Sequence, residues 1–430
     1  MFRIIKYAAA LPGLLLLASG LPAQENLTLS AALEKALDNN YGIIISKSQE
    51  EIASINNNWG TAGRYPRVGF DATSSNNFDA LNNSSSNNLF GGIGLNWTLF
   101  DGYRVQVTKS RLNTLETLAK GRSAVVVENT IQDVIQGYYN VLLQEEQLEV
   151  LQRVMRLSGD RYRYEVMRRE LGSALSYDVL QAKNVYLEDS SAYLNQQVVL
   201  RNAIRNLNFV LGEEPNQRWN FTDSFQADTS SYKLSDLLDK MLSNNQTLQN
   251  QYANLMLQKD QVRLQESDLY PSLRLSAGVD NSWSRTQNEG LDPVTRESIS
   301  PFANLTLSYD IYTGGTRKRA VEVARVNEEI TQTETDEIKH SLINVLYNEY
   351  DRYDVRTNLL QVAEENLEAA ELNLEIAQEK FRNGTINSFN YRDIQLIYIN
   401  AALQRLRSIY NLIDSRTNLT RLTGGFIGQM

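Results

Sequence analysis

The chain has no cysteine and a single histidine, His340, in 430 residues. Without cysteine there is no disulfide framework, no thiolate chemistry and no lipid attached through a cysteine thiol. A histidine-based triad or zinc cluster would have to be assembled around His340 alone, in Lys339-His340-Ser341 of a long helical stretch, where a lone histidine is ordinarily a surface residue. Gly314-Gly315-Thr316-Arg317-Lys318 lacks the spacing of a phosphate loop. Carboxylate-only chemistry such as glycoside hydrolysis finds no pair of acids set in a cleft, because long helices with seven-residue repeats make poor clefts. Positive charge is scarce: 42 basic residues face 51 acidic ones, a formal net charge of −9, so nucleic acid is a poor partner. No run of apolar residues is long enough to cross a bilayer as a helix. These absences leave no enzyme, no cofactor and no metal to expect.

What is present begins with Arg3 and Lys6, then an apolar run from Tyr7 to Leu17 and small residues around Ala18-Ser19-Gly20. That order predicts a secretory signal peptide over 1–23, cleaved near Ala23. Removing its two basic residues makes the exported chain more acidic still. Next comes a repeat. Leu27–Asn40 returns as Tyr232–Asn245, 205 positions later, and Tyr65-Pro66 returns as Tyr270-Pro271 at the same spacing. Leu99-Phe100-Asp101-Gly102 answers Ile311-Tyr312-Thr313-Gly314, and Gly172 answers Gly384, both 212 positions on. Such self-similarity dictates that whatever one half builds, the other builds beside it.

Each half reads as helix, strand hairpin, long helix, helix. Leu360, Leu367, Leu374 and Phe381 recur every seven residues, with Ala363, Ala370 and Ala377 three places after each leucine. That is a coiled-coil seam whose small residues let helices approach closely. The first half shows the period in Val127, Val134, Val141, Leu148, Met155 and Tyr162. Arg317–Asn383 holds no glycine or proline and would reach roughly 100 Å as one helix. The first-half helix carries Gly121, Gly137 and Gly159, which predict weaker continuity.

Between helices the period becomes two. Val68, Phe70 and Ala72 alternate with Gly69, Asp71 and Thr73, and Ile93, Leu95, Trp97 and Leu99 with Gly94, Asn96 and Thr98. Leu273, Leu275, Ala277 and Val279, then Ala303, Leu305, Leu307, Tyr309 and Ile311, repeat the pattern in hairpins at 67–100 and 272–312. The connecting loops are expected at Asp79–Asn88 and Gln287–Ser298. Strands of about ten residues, apolar on one face and polar on the other, fit a tilted bilayer crossing. A soluble covered sheet would alternate too, but each hairpin stands between helices with nothing local to cover it. Trp97, Trp283, Phe302 and Tyr309 are candidates for aromatic girdles. Four strands cannot close a channel, and an open edge in lipid leaves backbone groups unpaired, so several chains must share one barrel; three would give twelve strands.

This order of features resembles the TolC-type outer-membrane efflux proteins. The resemblance runs from about Leu27 to Thr423 and rests on four duplicated elements. These are the Leu-Ser-x-x-Leu-x-x-x-Leu-x-x-Asn openings at Leu29 and Leu234, Tyr-Pro before each hairpin, Leu-Phe-Asp-Gly and Tyr-Thr-Gly-Gly before the long helices, and the turns at 171–178 and 383–390. Pro66 and Pro271 would mark helix-to-strand transitions, Gly102 and Gly314 the returns from strand to helix. The resemblance implies a mainly α protein with a transmembrane β-barrel: a homotrimer whose twelve strands sit in the outer membrane of a Gram-negative bacterium, continued by a long periplasmic tunnel. It implies a passive duct that touches outer-membrane lipid and docks on a periplasmic adaptor (membrane fusion) protein. Through the adaptor it serves an inner-membrane transporter of RND, ABC or MFS type, exporting small molecules or secreted polypeptide.

The family's acidic constriction at the periplasmic tip falls on Asn390 and Asp393 in the second repeat and on Asp178 in the first, beside Tyr177. Only Asp393 and Asp178 are acidic. The family's basic latch residue falls on Ile386, which argues against a latch there. Three copies of Asp393 on an axis would repel one another and bind a passing cation. Asp178 reads equally as a helix cap. Tyr391 and Arg392 flank Asp393 and are candidates to modulate opening, and Gly172 and Gly384 initiate the tip turns. The expected organisation is a first repeat at 24–212, a linker at 213–231, a second repeat at 232–425 and a tail at 426–430. An exported coiled-coil scaffold or adhesin is the alternative, but it gives no reason for two hairpins with lipid-compatible faces.

Overall fold

The computed structural model describes residues 25–426, so the expected signal peptide and residues 427–430 of the tail lie outside them. In chain order the elements are β1 (Glu25–Leu27), α1 (Leu29–Asn39), α2 (Tyr41–Asn56), β2 (Arg67–Asp79), β3 (Ser84–Asp101), α3 (Arg104–Glu170), α4 (Ser176–Leu211) and β4 (Trp219–Phe221). The second half repeats them as α5 (Leu234–Asn244), α6 (Gln246–Ser267), β5 (Ser272–Gln287), β6 (Val294–Ser308), α7 (Thr316–Arg382) and α8 (Ser388–Leu422). Among the described residues no helix is long and apolar enough to cross a membrane.

Where one opening helix per half is expected, there are two. The break falls at Asn40 and Asn245. The Asn40 side chain accepts the N–H groups of Gly42 and Ile43, and that of Asn245 accepts Leu248 N–H, so each starts a new helix. The linker also holds an unexpected strand, β4, which pairs in parallel with β1. Leu27 is fully buried there, and its carbonyl accepts the Tyr138 hydroxyl at 2.9 Å.

The two long helices have 67 residues each, about 100 Å of rise. The first is unbroken despite its glycines, and packing gives the reason. A side chain at Gly121 would meet Asn250 of α6, and one at Gly159 would press on the Tyr186 ring of α4 at 3.1 Å. The glycines are close-approach points, so the helix gains from its neighbours what it loses in propensity. The helices lie in the order α4, α3, α8, α7, with α3 also covered by α2 and α6. The predicted seam is inside: Leu360, Ala363, Ala370, Leu374, Ala377 and Phe381 are buried and Leu367 half-buried.

The hairpins form one antiparallel sheet in the order β2-β3-β5-β6. Its register carries the predicted faces across all four strands. Val68, Leu95, Ala277 and Ala303 share one row, and Phe70, Ile93, Val279 and Pro301 the next. The intervening rows are polar or glycine, such as Arg67, Asn96, Ser276 and Asn304. Within the chain β2 and β6 each have one unpaired edge.

Three expectations about the strands need correction. They have 13 to 18 residues, not about ten, because the Asn/Ser-rich segments join the ladder and leave turns only at 80–83 and 288–293. Backbone pairing needs no apolar side chain, so polar composition does not end a strand. Second, Tyr309 and Ile311 lie beyond β6. The last pair is Ser272 with Ser308, and the next partner would be Pro271, which has no N–H to offer. Third, of the girdle candidates, Trp97 and Trp283 share the apolar face, whereas Phe302 pairs with Gly278 in a polar row and Tyr309 is off the sheet.

Candidate functional site

At the end of the helices away from the sheet, α3 turns into α4 and α7 into α8. The two turns are built alike. Ser173 N–H bonds back to Arg168 carbonyl and Gly172 N–H to Arg169, just as Thr385 bonds to Lys380 and Gly384 to Phe381. Both glycines take left-handed backbone, φ +73° and +70°, which their lack of a side chain permits. Both turns are exposed, with Tyr177 60% accessible.

Behind the turns lies a cleft of about 190 Å³ walled by both repeats: Asp178 and Gln181 of α4, Arg161 of α3, and Phe389, Arg392 and Asp393 of α8. Thus Asp178 and Asp393 come together within one protomer. Asp178 accepts Leu175 N–H at 3.0 Å and so caps α4. Asp393 is exposed and has no ion pair among the described residues. Asn390 is exposed, and its N–H is accepted at 2.9 Å by Asn387, the cap of α8.

Tyr391 and Arg392 are not free at the opening. Tyr391 is buried and its ring stacks on Phe381, centroids 4.8 Å apart and 6° from parallel; burial raises its hydroxyl pKa. Arg392 makes a two-pronged ion pair with Asp189 of α4, at 2.9 and 3.0 Å, with the two side chains 15% and 8% accessible. Beside it Arg161 is almost fully buried and donates to Ser388 carbonyl at 3.4 Å; burial and the Arg392 charge lower its pKa. Glu165, one turn further along α3, is equally buried, which pushes its carboxyl upward. Ile386 packs into the apolar cluster around Phe381 and Tyr391. Sequence reasoning missed Asp189 altogether, since an ion pair 203 residues apart leaves no local signal.

At the other end, Pro66 and Pro271 immediately precede β2 and β5, while Gly102 (φ +66°) and Gly314 (φ +64°) stand between strand and long helix. At Gly102 a side chain would collide with the Ser267 carbonyl at 2.3 Å, so only glycine fits this crossing. On the apolar face, Trp97 and Trp283 bracket the rows from Leu275 to Trp283, about 27 Å of strand. Tilted by about 40°, that length spans roughly 20 Å of an apolar band of about 25 Å. His340 is exposed on α7. Among the described residues no group of three or more acidic or histidine side chains is placed to hold a metal ion.

Comparison with known proteins agrees with this geometry. The outer membrane efflux protein model matches residues 32–213 and again 237–425. No curated protein matches by sequence. Among solved structures the chain is similar to the transmembrane channel CusC (14% identity, TM-score 0.77, 93% of each chain covered). It is also similar to the outer membrane channel CmeC of Campylobacter jejuni (16%, 0.72, 92% of this chain and 85% of that one). A third likeness is to the outer membrane protein VceC of Vibrio cholerae (12%, 0.73, 92% and 96%). With one family model matched over both halves and a shared fold, the chain belongs to the outer membrane efflux protein family.

Proposed function

We propose that three copies of this chain close a twelve-stranded barrel and form the passive exit duct of a tripartite efflux or type I secretion system. In this reading 24–212 and 232–425 are the repeats and 213–231 their linker. The observation that carries it is the four-stranded sheet: apolar on one face, polar on the other, and unpaired at β2 and β6. In lipid those edges must find partners, and copies of the same sheet supply them without leaving any edge. The roughly 100 Å helices extend the duct away from the membrane. At their far end an adaptor protein docks and an RND, ABC or MFS transporter delivers small molecules or polypeptide.

In this reading Asp393 forms the constriction, with Asn390 and Asp178 beside it. Its exposure and lack of a partner support that role, because a free carboxylate ring attracts cations. Arg392–Asp189 ties the two repeats together directly behind it. Single-channel recording of the detergent-purified protein in a planar bilayer under a KCl gradient tests the proposal. Discrete steps with a cation-biased reversal potential are expected; no conductance from a folded oligomer, with Asp393→Ala equally silent, sinks it.

A further inference from the structure

Where the helices meet the sheet, a pocket of about 300 Å³ opens on the apolar face. Its walls include Trp59, Arg64, Trp97, Leu99, Phe100 and Asp101. Trp97 belongs to the row of Leu275 and Leu305, and one row nearer the helices Phe100 pairs with Leu273, and Leu273 with Leu307, after a bulge in β3. The pocket therefore sits at the boundary of the apolar band, on the side from which the tunnel leaves the sheet.

Arg64 is the unusual feature. The loop that carries it is a closed turn. Ala62 N–H bonds to Asn58 carbonyl, Gly63 N–H to Gly60 and Arg64 N–H to Trp59, with Gly63 at φ +88°. Trp97 Nε1 donates to Arg64 carbonyl at 2.9 Å, pinning this loop to the sheet. The guanidinium lies 4.7 Å from the centre of the Trp59 ring. No carboxylate among the described residues forms an ion pair with it, although Asp101 lines the same pocket. Asp101 instead accepts Val105 N–H at 3.4 Å, at the start of α3. A stacked guanidinium keeps its edge donors free, and that edge fits a phosphate with two parallel hydrogen bonds.

We propose that this pocket binds the headgroup of one phospholipid per chain in the tunnel-side leaflet: Arg64 takes the phosphate, Asp101 faces the amine of an ethanolamine headgroup, and Trp97, Leu99 and Phe100 border the acyl chains. Interfacial tryptophans mark the depth at which headgroups lie, and a pocket with one cation and one anion at that depth matches the two charges of a zwitterionic headgroup. The inference rests on the sheet lying in the membrane as proposed above.

Native mass spectrometry of the detergent-purified protein tests it, with dioleoyl phosphatidylethanolamine, dioleoylglycerol and inorganic phosphate added in separate arms. One phosphatidylethanolamine per chain should be retained by the parent. Arg64→Gln should lower retention at least fivefold and Trp59→Leu severalfold, whereas Arg274→Gln, on the opposite face of the sheet, should leave it unchanged. Equal retention by Arg64→Gln, equal retention of dioleoylglycerol, or full competition by millimolar inorganic phosphate would each overturn the site. Conductance recorded on the same preparations separates the two readings: a conducting protein that holds no phospholipid loses only this pocket, and one that never inserts loses the barrel.

Discussion

The turn after α3 and the turn after α7 share one hydrogen-bond pattern and one left-handed glycine, yet they use their acids differently. In the first repeat Asp178 satisfies the start of α4 by accepting Leu175 N–H. In the second, Asn390 stands at the matching position with its N–H accepted by the cap Asn387, and the acid, Asp393, falls three residues later, where the first repeat has Gln181, with no ion pair among the described residues. The long helices diverge in the same way. At a spacing of 212, Glu128 of α3 stands where His340 stands in α7, but α3 is covered by α2, α4, α6 and α8, and Glu128 is buried where His340 is exposed. Duplication fixes backbone geometry, while burial and capping decide which charged groups remain available.

The largest test of that asymmetry is the pair that joins the repeats. Arg392→Met leaves Asp189 charged and nearly buried, which is expected to cost about 3 kcal/mol or more. The double variant with Asp189→Leu should regain most of this, and Leu180→Met, at the matching place in the first repeat, should change stability little. Denaturant titration of the parent, Arg392→Met, Asp189→Leu and the double variant measures the coupling as a double-mutant cycle. Additive losses would mean the pair is not coupled.

In the sheet the repeats are expected to behave alike. Phe70→Arg in the first and Val279→Arg in the second each place charge in the middle row of the apolar face, at about 2–4 kcal/mol near mid-bilayer. Both should reduce membrane-inserted oligomer, whereas Asn304→Arg on the polar face should be tolerated. Insertion of both apolar-face variants at parental levels would argue for a covered soluble sheet.

Glu128 separates the long helices by pH. Burial raises its pKa from 4.5 to about 7. The folded form thus binds the proton more tightly than the unfolded one, and stability falls as pH rises from about 4.5 to about 7, then levels. Glu128→Gln should remove that slope, leaving the variant about 3 kcal/mol more stable than the parent at pH 8 and similar at pH 4. Thermal unfolding across that range checks it. A parent curve that rises over this interval would reverse the assignment.

Much of this fold was legible in the chain because it repeats. The period of two in Val68, Phe70 and Ala72 forecast a face that the register extends across four strands, and Pro66 and Pro271 forecast the strand starts. The paired asparagines at 39–40 and 244–245 lay within the repeated motif, and their capping chemistry was a readable signal for the split helices. Strand ends were harder, since Ser84–Asn88 carries no apolar pattern yet pairs through its backbone. At the tip, residue types pointed to Asp178 and Asp393. Their environments depend on Asp189, Arg161 and Asn387, of which two are brought in by tertiary packing that no local spacing encodes. Tyr391 shows the same limit: its side chain was read at the opening and is packed against Phe381.

The smallest effect bears most directly on function. Asp178→Ala removes a helix cap and is expected to cost about 1 kcal/mol with little change in ion preference. Asp393→Ala removes a free carboxylate, so stability should hold while the reversal potential under a KCl gradient moves toward zero. The two variants therefore dissociate stability from selectivity in opposite directions. If Asp178→Ala shifted the reversal potential as much as Asp393→Ala, the cap would not be its main use and both repeats would line the constriction. If neither did, the charge that selects ions would lie elsewhere in the duct, and the exposed carboxylate at the start of α8 would be a solvated surface group.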